Sequence, residues 1–181
     1  RRRQILDVAI ETFARSGYHD TSMNAIAREA GVTKPVLYQH FASKHELFEL
    51  LLAETGDHLL KAIEAAAVED TPRRRVEAGF RAFFHFFEAQ PSAFAVLYGS
   101  SLATDPEFRS DARRVRDTFA EHLSGLMGNR DHDEALALAA GMNGLSEGMI
   151  RHWMHEGRTR PADEMAALAA RLAWGGVESL I

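Results

Sequence analysis

His152 and His155 stand three residues apart and are followed by Glu156, a spacing that on a helix can turn two imidazoles and a carboxylate toward one metal ion. The same residues read more simply as the last turn of a helix, where the macrodipole favours positive side chains. Asp131-His132-Asp133 reads likewise as holding a helix cap rather than a site. No metal or cofactor is therefore expected. A helical hydrolase built on the nine histidines and scattered carboxylates is the competing class, but no nucleophile elbow, phosphate loop or metal-spaced ligand set supports it. The chain is not expected to be an enzyme. It has no cysteine, which excludes disulfide frameworks, thiolate metal sites and thiol redox sensing.

The chemistry that the spacing does favour is recognition by hydrogen bonds and charge. Around Lys34 to His40, Leu37 and Phe41 fall on one side of a helix, while Pro35, Val36, Tyr38 and Gln39 share the opposite arc. Upstream, Met23, Ile26, Ala27 and Ala30 form one apolar face at helical spacing, and Gly31 can take the left-handed turn that ends that helix. Thr33 reads as the N-cap of the next one. Ile5, Leu6, Ala9 and Phe13 supply the inner face of a preceding helix, completing a three-helix core. Such a helix-turn-helix presents its second helix to the DNA major groove. Ser43-Lys44-His45-Glu46 is a capping box, and the helix N-terminus it fixes, with Lys44 beside it, suits a DNA phosphate. An ordinary surface lysine on a capped helix is the alternative.

These residues resemble a known family. Ile5-Leu6, Phe13-Ala14-Arg15-Ser16-Gly17-Tyr18, Thr21-Ser22, the run from Ile26 to Phe41, Lys44 and Glu46-Leu47 look like the DNA-binding region of TetR-type transcriptional regulators. The likeness covers about the first quarter of the chain. It implies a homodimer with two DNA-binding heads, a cavity for an unidentified small-molecule effector in each larger domain, and release from the operator when effector binds, as in a repressor. By position, Lys34, Pro35, Val36, Tyr38 and Gln39 match groove-facing residues, and Thr21, His40 and Lys44 match backbone-contact positions.

The expected architecture is all-α. A three-helix DNA-binding domain over residues 1–48 precedes a larger helical effector-binding and dimerisation domain over residues 49–181. The five prolines all stand where a helix can begin. Expected helices run over Gln4 to Ser16, Ser22 to Ala30, Lys34 to His40, Lys44 to Ala67, Pro72 to Ala89, Pro91 to Ser100, Pro106 to Met127, Asp133 to Glu156 and Pro161 to Val177. In the larger domain Phe80, Phe83, Phe84 and Phe87 form an aromatic face, with Phe94, Tyr98, Phe108, Met142, Met149 and Trp153 as further candidates to line an apolar effector cavity. Plain core packing is the alternative. Ala137, Gly141, Gly144 and Gly148 make a strip of small side chains; with Ala166, Ala170 and Ala173 on the last helix they are the candidate dimer interface.

Composition is consistent with this reading. The formal charge of −5 hides a split: Arg1 to Phe48 carries seven Lys/Arg against five Asp/Glu, and the remainder 14 against 21. The positive end is where a polyanion would sit. No membrane span is expected, since no apolar run approaches the ~18 residues it requires. A cytoplasmic protein is expected, and the start at Arg1 leaves room for a preceding extension.

Overall fold

A computed structural model describes residues 1–99, 108–125 and 131–178. Among the described residues all regular structure is helical, in nine helices: α1 (Arg2–Asp20), α2 (Met23–Glu29), α3 (Lys34–His40), α4 (Lys44–Ala66), α5 (Pro72–Ala89), α6 (Pro91–Tyr98), α7 (Arg109–Gly125), α8 (His132–His155) and α9 (Ala162–Glu178). The all-α expectation holds. Ser100, the Asp105-Pro106 start and the Met127 end expected for two of the helices lie outside the described residues. The first helix runs longer than expected because a second short helical stretch follows a break at Gly17, whose φ of 77° few side chains tolerate.

By their contacts the residues gather into two compact units. The first comprises Arg1–Asp57 with Gln90–Ala112, and the second His58–Ala89 with Arg113–Ile181. Neither is continuous in sequence. The boundary expected after residue 48 follows the motif, whereas α4 continues through it as one helix. In the first unit Ile5, Leu6, Ala9 and Phe13 of α1 are buried, as are Met23, Ile26 and Ala27 of α2. Each fully buried large side chain contributes about 1.5–3 kcal/mol relative to exposure. The sequence did not foretell the role of α6, which packs along α1 with Ala93, Val96 and Leu97 buried and Ser92 donating to Glu11 at 2.7 Å.

In the second unit α5 and α9 pack side by side. Phe80, Phe83, Phe84, Phe86 and Phe87 are buried on α5, and Met165, Ala166, Ala169, Ala170 and Ala173 on α9. Asp131 caps α8 by accepting from the Glu134 amide, and His152 and His155 fall in its last turn. Among the described residues no three His, Asp or Glu side chains gather as metal ligands. The link to α9 turns at Gly157 and Arg158, with φ of 69° and 58°, and Trp153 Nε1 donates to the Arg160 carbonyl at 2.8 Å.

Candidate nucleic-acid interface

The turn between α2 and α3 is built as its glycine requires. Gly31 has φ of 61°, its N–H donates to the Arg28 carbonyl, and Val32 N–H donates to Ala27 at 2.9 Å. These bonds satisfy carbonyls that the end of α2 would otherwise leave bare. The start of α1 fastens the outside of the turn: Arg1 Nη2 donates to the Gly31 carbonyl at 2.7 Å and Gln4 Nε2 to Ala30 at 3.3 Å. Ser22 caps α2 through the Ala25 amide. Thr33 has the extended backbone of a cap but makes no side-chain cap bond, contrary to expectation.

Seven residues are too few for a helix to persist alone. Tertiary burial must hold α3, and Leu37 is its one buried side chain, fully enclosed, with Phe41 buried just beyond. Most of the opposite arc is left to solvent. Lys34, Pro35, Tyr38 and Gln39 are exposed, and Val36 and His40 half-buried. Tyr38 keeps 43% of its surface exposed, unusual for so large a ring, and Lys34 Nζ stands 5.7 Å from its centre. The expected groove-facing set is thus assembled on one surface.

Two of the expected backbone-contact side chains have other occupations. Thr21 is 2% exposed and its hydroxyl donates to the Gly17 carbonyl at 2.6 Å. Lys44 does begin α4 behind a formed cap, Glu46 N–H donating to Ser43 Oγ at 3.0 Å. Its ammonium, however, donates to the carbonyls of Tyr18 at 2.8 Å, Thr21 at 3.0 Å and His19 at 3.3 Å. An ammonium has three protons, and all three are used. In this structure the Thr21 side chain is buried, and the Lys44 ammonium binds the α1–α2 connection to α4.

Arg28, on the last turn of α2, was not among the expected contacts. It is exposed, and its charge is among those that lower the pKa of the neighbouring Glu29. Its signal in the sequence was only its place on the first helix of the motif, which crosses the DNA backbone in such folds. Its neighbour Glu29 is held by both Nη2 contacts of Arg15, at 2.6 and 2.7 Å, and by the Thr12 hydroxyl; chiefly the Arg15 bond lowers its pKa below the ordinary carboxylate value.

The other candidate residues separate by unit. Phe80, Phe83, Phe84 and Phe87 are buried together, with Phe84 meeting Trp153 edge to face at 5.6 Å, and Met142 and Met149 half-buried. Phe94 and Tyr98 lie on α6, in the first unit. Phe108 is also there, fully buried against Tyr18, Phe48 and His45 at ring distances of 4.5, 4.9 and 5.3 Å. Phe108 is thus packed in the core of the first unit, apart from the aromatic face of α5 in the second. On α8, Ala137, Gly141, Gly144 and Gly148 are exposed, and a Cβ at any of these three glycines would meet no atom within 4 Å. Ala166, Ala170 and Ala173 are buried within the protomer, and the exposed large apolar residues of α9 among the described residues are Leu168 and Leu172.

Comparison with known proteins agrees with this geometry. The model of bacterial regulatory proteins of the tetR family matches residues 5–51. The HTH-type transcriptional activator FasR of Mycolicibacterium smegmatis is 32% identical over 98% of this chain and 83% of its own length. A TetR-like transcriptional regulator from Rhodococcus sp. RHA1 superposes with a TM-score of 0.78 at 28% identity, over 97% of this chain and 94% of that one. FadR of Bacillus subtilis, solved in complex with stearoyl-CoA, shares the fold with a TM-score of 0.81 at 17% identity, over 96% and 97% of the two chains.

Proposed function

Because this chain belongs to the TetR family of DNA-binding transcriptional regulators, and so is not an enzyme, we propose that it grips its operator as a homodimer and lets go when a small apolar or aromatic effector binds the second unit. The observation that carries the reading is the arc of α3: a short helix held by Leu37, with Lys34, Pro35, Tyr38 and Gln39 exposed opposite it and Val36 half-buried. Gln39 offers the bidentate amide that reads adenine, and Pro35, Val36 and Tyr38 offer apolar surface to thymine methyls. Arg28 and Lys34 supply charge to phosphates, and His40 borders the same surface. Thr21 and Lys44 act from behind, by shaping the support.

Two heads are required because one such helix reads few bases, and half-sites lie about 34–36 Å apart. The exposed strip of Ala137, Gly141, Gly144 and Gly148, with Leu168 and Leu172, is the surface that supports dimerisation. Effector chemistry is inferred from the apolar side chains of Phe80, Phe83, Phe84, Phe87 and Trp153, and of the half-buried Met142 and Met149. FadR of Bacillus subtilis, with its stearoyl-CoA, is a case in which this fold accommodates an apolar chain. A dimer sitting over a promoter blocks polymerase, so the reading is of a cytoplasmic repressor; FasR, an activator by name, would represent the opposite placement of an operator.

The test is a mobility shift on DNA upstream of the protein's own coding region, followed by calorimetric titration of apolar compounds with and without saturating operator. A ~100-fold preference of ligand for the DNA-free state corresponds to ~2.7 kcal/mol, and operator must weaken ligand binding by the same factor. Failure to bind any such DNA would leave a helical interaction scaffold as the better reading. Ligand affinity indifferent to operator would remove the sensing half alone.

A further inference from the structure

Arg1, Arg2 and Arg3 form a basic run at the start of α1, and beside a DNA-reading head such a run is ordinarily a set of phosphate contacts. Here all three side chains have partners inside the head. Arg1 Nη2 donates to the Gly31 carbonyl at 2.7 Å and its Nη1 to Gln4 Oε1 at 3.1 Å, while Gln4 Nε2 donates to the Ala30 carbonyl at 3.3 Å. Arg2 places its guanidinium carbon 5.5 Å from the centre of the Phe41 ring and its Nη1 3.6 Å from Glu54 Oε1. Arg3 reaches the other oxygen of Glu54 at 3.2 Å and Asp7 at 3.0 Å.

What these partners share is α3. Ala30 and Gly31 form the turn that leads into it, Phe41 is its C-cap, and Glu54 lies on α4, the helix that follows. The seven-residue helix is thus held from the first turn of α1 at both ends, in addition to Leu37 within it. Burial of Leu37 is non-directional: it resists withdrawal of α3 but sets its tilt only loosely. Hydrogen bonds to carbonyls and a cation over a ring are directional, and base recognition needs that precision because its own bonds weaken steeply with misalignment. Exposed contacts of this kind add little to stability, so orientation is what they offer. A carboxylate shared by two arginines is also a poor neighbour for a phosphate and a good one for a brace.

We propose that Arg1, Arg2 and Gln4 are positioning residues for operator recognition, setting the angle at which α3 enters the major groove and so governing sequence discrimination rather than overall DNA affinity. This rests on the reading of α3 as the base-reading helix. Glu54 belongs to the same device, since it holds Arg2 and Arg3 against α4. Phosphate contact and positioning make opposite demands on that carboxylate. Glu54→Gln frees both arginines and removes a negative charge, which would tighten binding to any DNA if the arginines served phosphates, and loosens the seat of α3 if they serve as a brace.

Two probes separate the outcomes: the duplex that the wild-type chain selects from a random-sequence pool, and sheared mixed-sequence DNA, each titrated at several salt concentrations. Gln4→Ala, which changes no charge, and Glu54→Gln are expected to lower the ratio of the two affinities about 10-fold, within the cost of one misplaced bidentate base contact. Melting temperatures should stay within about 4 °C of wild type, as befits exposed contacts. Arg1→Gln and Arg2→Gln should lower the ratio likewise with an unchanged salt slope, and Arg2→Lys, which returns a cation to the Phe41 ring, should recover much of the loss. A fall in melting temperature with equal loss on both DNAs would overturn the proposal in favour of a purely structural role. Tighter binding of Glu54→Gln to both DNAs, or a slope reduced by about 0.9 in Arg2→Gln, would overturn it in favour of phosphate contact. An unchanged ratio in every variant would overturn it outright, while leaving DNA binding intact. Selection of no duplex by the wild-type chain would remove the base-reading role of α3 and the brace together.

Discussion

The ammonium of Lys44 lies 2.8 Å from the carbonyl oxygen of Tyr18 and 4.2 Å from the centre of the same residue's ring. The first residue of α4 thereby holds the end of α1 by charge, hydrogen bond and π-face at once. Lys44→Met keeps the length and the apolar stem but removes the donors. It should lower protomer stability by about 1–3 kcal/mol, the scale of charge-assisted hydrogen bonds, and weaken operator binding without altering its salt dependence. Parallel plots of log affinity against log salt for wild type and variant are expected. A shallower slope would restore the direct phosphate contact.

Arg28 and Gln39 should fail in different ways. Arg28→Ala is expected to reduce the salt slope by about 0.9 and to weaken all sequences alike, as loss of one phosphate contact does. Gln39→Ala should leave the slope unchanged and relax preference at one base pair, costing about 1–3 kcal/mol there. Binding measured over single-substitution operator variants at several salt concentrations distinguishes the two.

At Gly144 the protomer and the dimer make opposite demands. A Cβ there meets nothing within 4 Å, so Gly144→Ala should stabilise α8 in an isolated chain, by up to about 1 kcal/mol of helix propensity. Gly144→Leu is expected to yield folded monomers that bind operator far more weakly, and Leu172→Arg to do the same from α9. Sedimentation equilibrium reads the outcome. A dimeric Gly144→Leu protein with wild-type operator affinity would remove this strip from the interface.

His85 joins α5 to α9. Its Nε2 lies 3.0 Å from Asp163 Oδ1 and its Nδ1 3.1 Å from Glu88 Oε2, while Arg81 Nε reaches the same Asp163 oxygen at 3.5 Å. The bond to Asp163, helped by Glu88, raises the imidazole pKa above its ordinary value. Since the folded value exceeds the unfolded one, the stabilisation is complete below the unfolded pKa of about 6.5 and disappears as pH rises through the folded one. The group is well exposed, so the effect should stay under about 1 kcal/mol. Thermal melts of wild type and His85→Gln are expected to differ most in mild acid and to converge in mild alkali. A constant gap at every pH would assign His85 a packing role only.

The head was legible in the sequence because its signals are local. Gly31 needs a left-handed turn, Ser43 and Glu46 bracket a helix start, and Leu37 and Phe41 share a face by helical period alone. What escaped was anything decided by a distant partner. Lys44 looks like a free cation until the carbonyls 23 to 26 residues upstream are brought beside it. Phe108 reads as one more aromatic of the larger domain, yet it is buried against Tyr18 of α1. Alanines are equally at ease inside and out, so the run from Ala166 to Ala173 gave no direction, and the orientation of α9 is set by the burial of Met165 and Ala169 against the rest of its unit.

The head of this protein is not a portable cassette. Its compact unit includes Gln90–Ala112, which comes after α5 in the chain, and α1 is completed by α6. A chimera that transplants only the matched motif, residues 5–51, onto a foreign sensor leaves behind the side chains of Ala93, Val96 and Leu97 and the ring of Phe108. The graft would then carry a bare apolar stripe along α1 and a hollow beside Tyr18 and Phe48. Exchange of operator specificity between regulators of this build should succeed only when the second segment travels with the first.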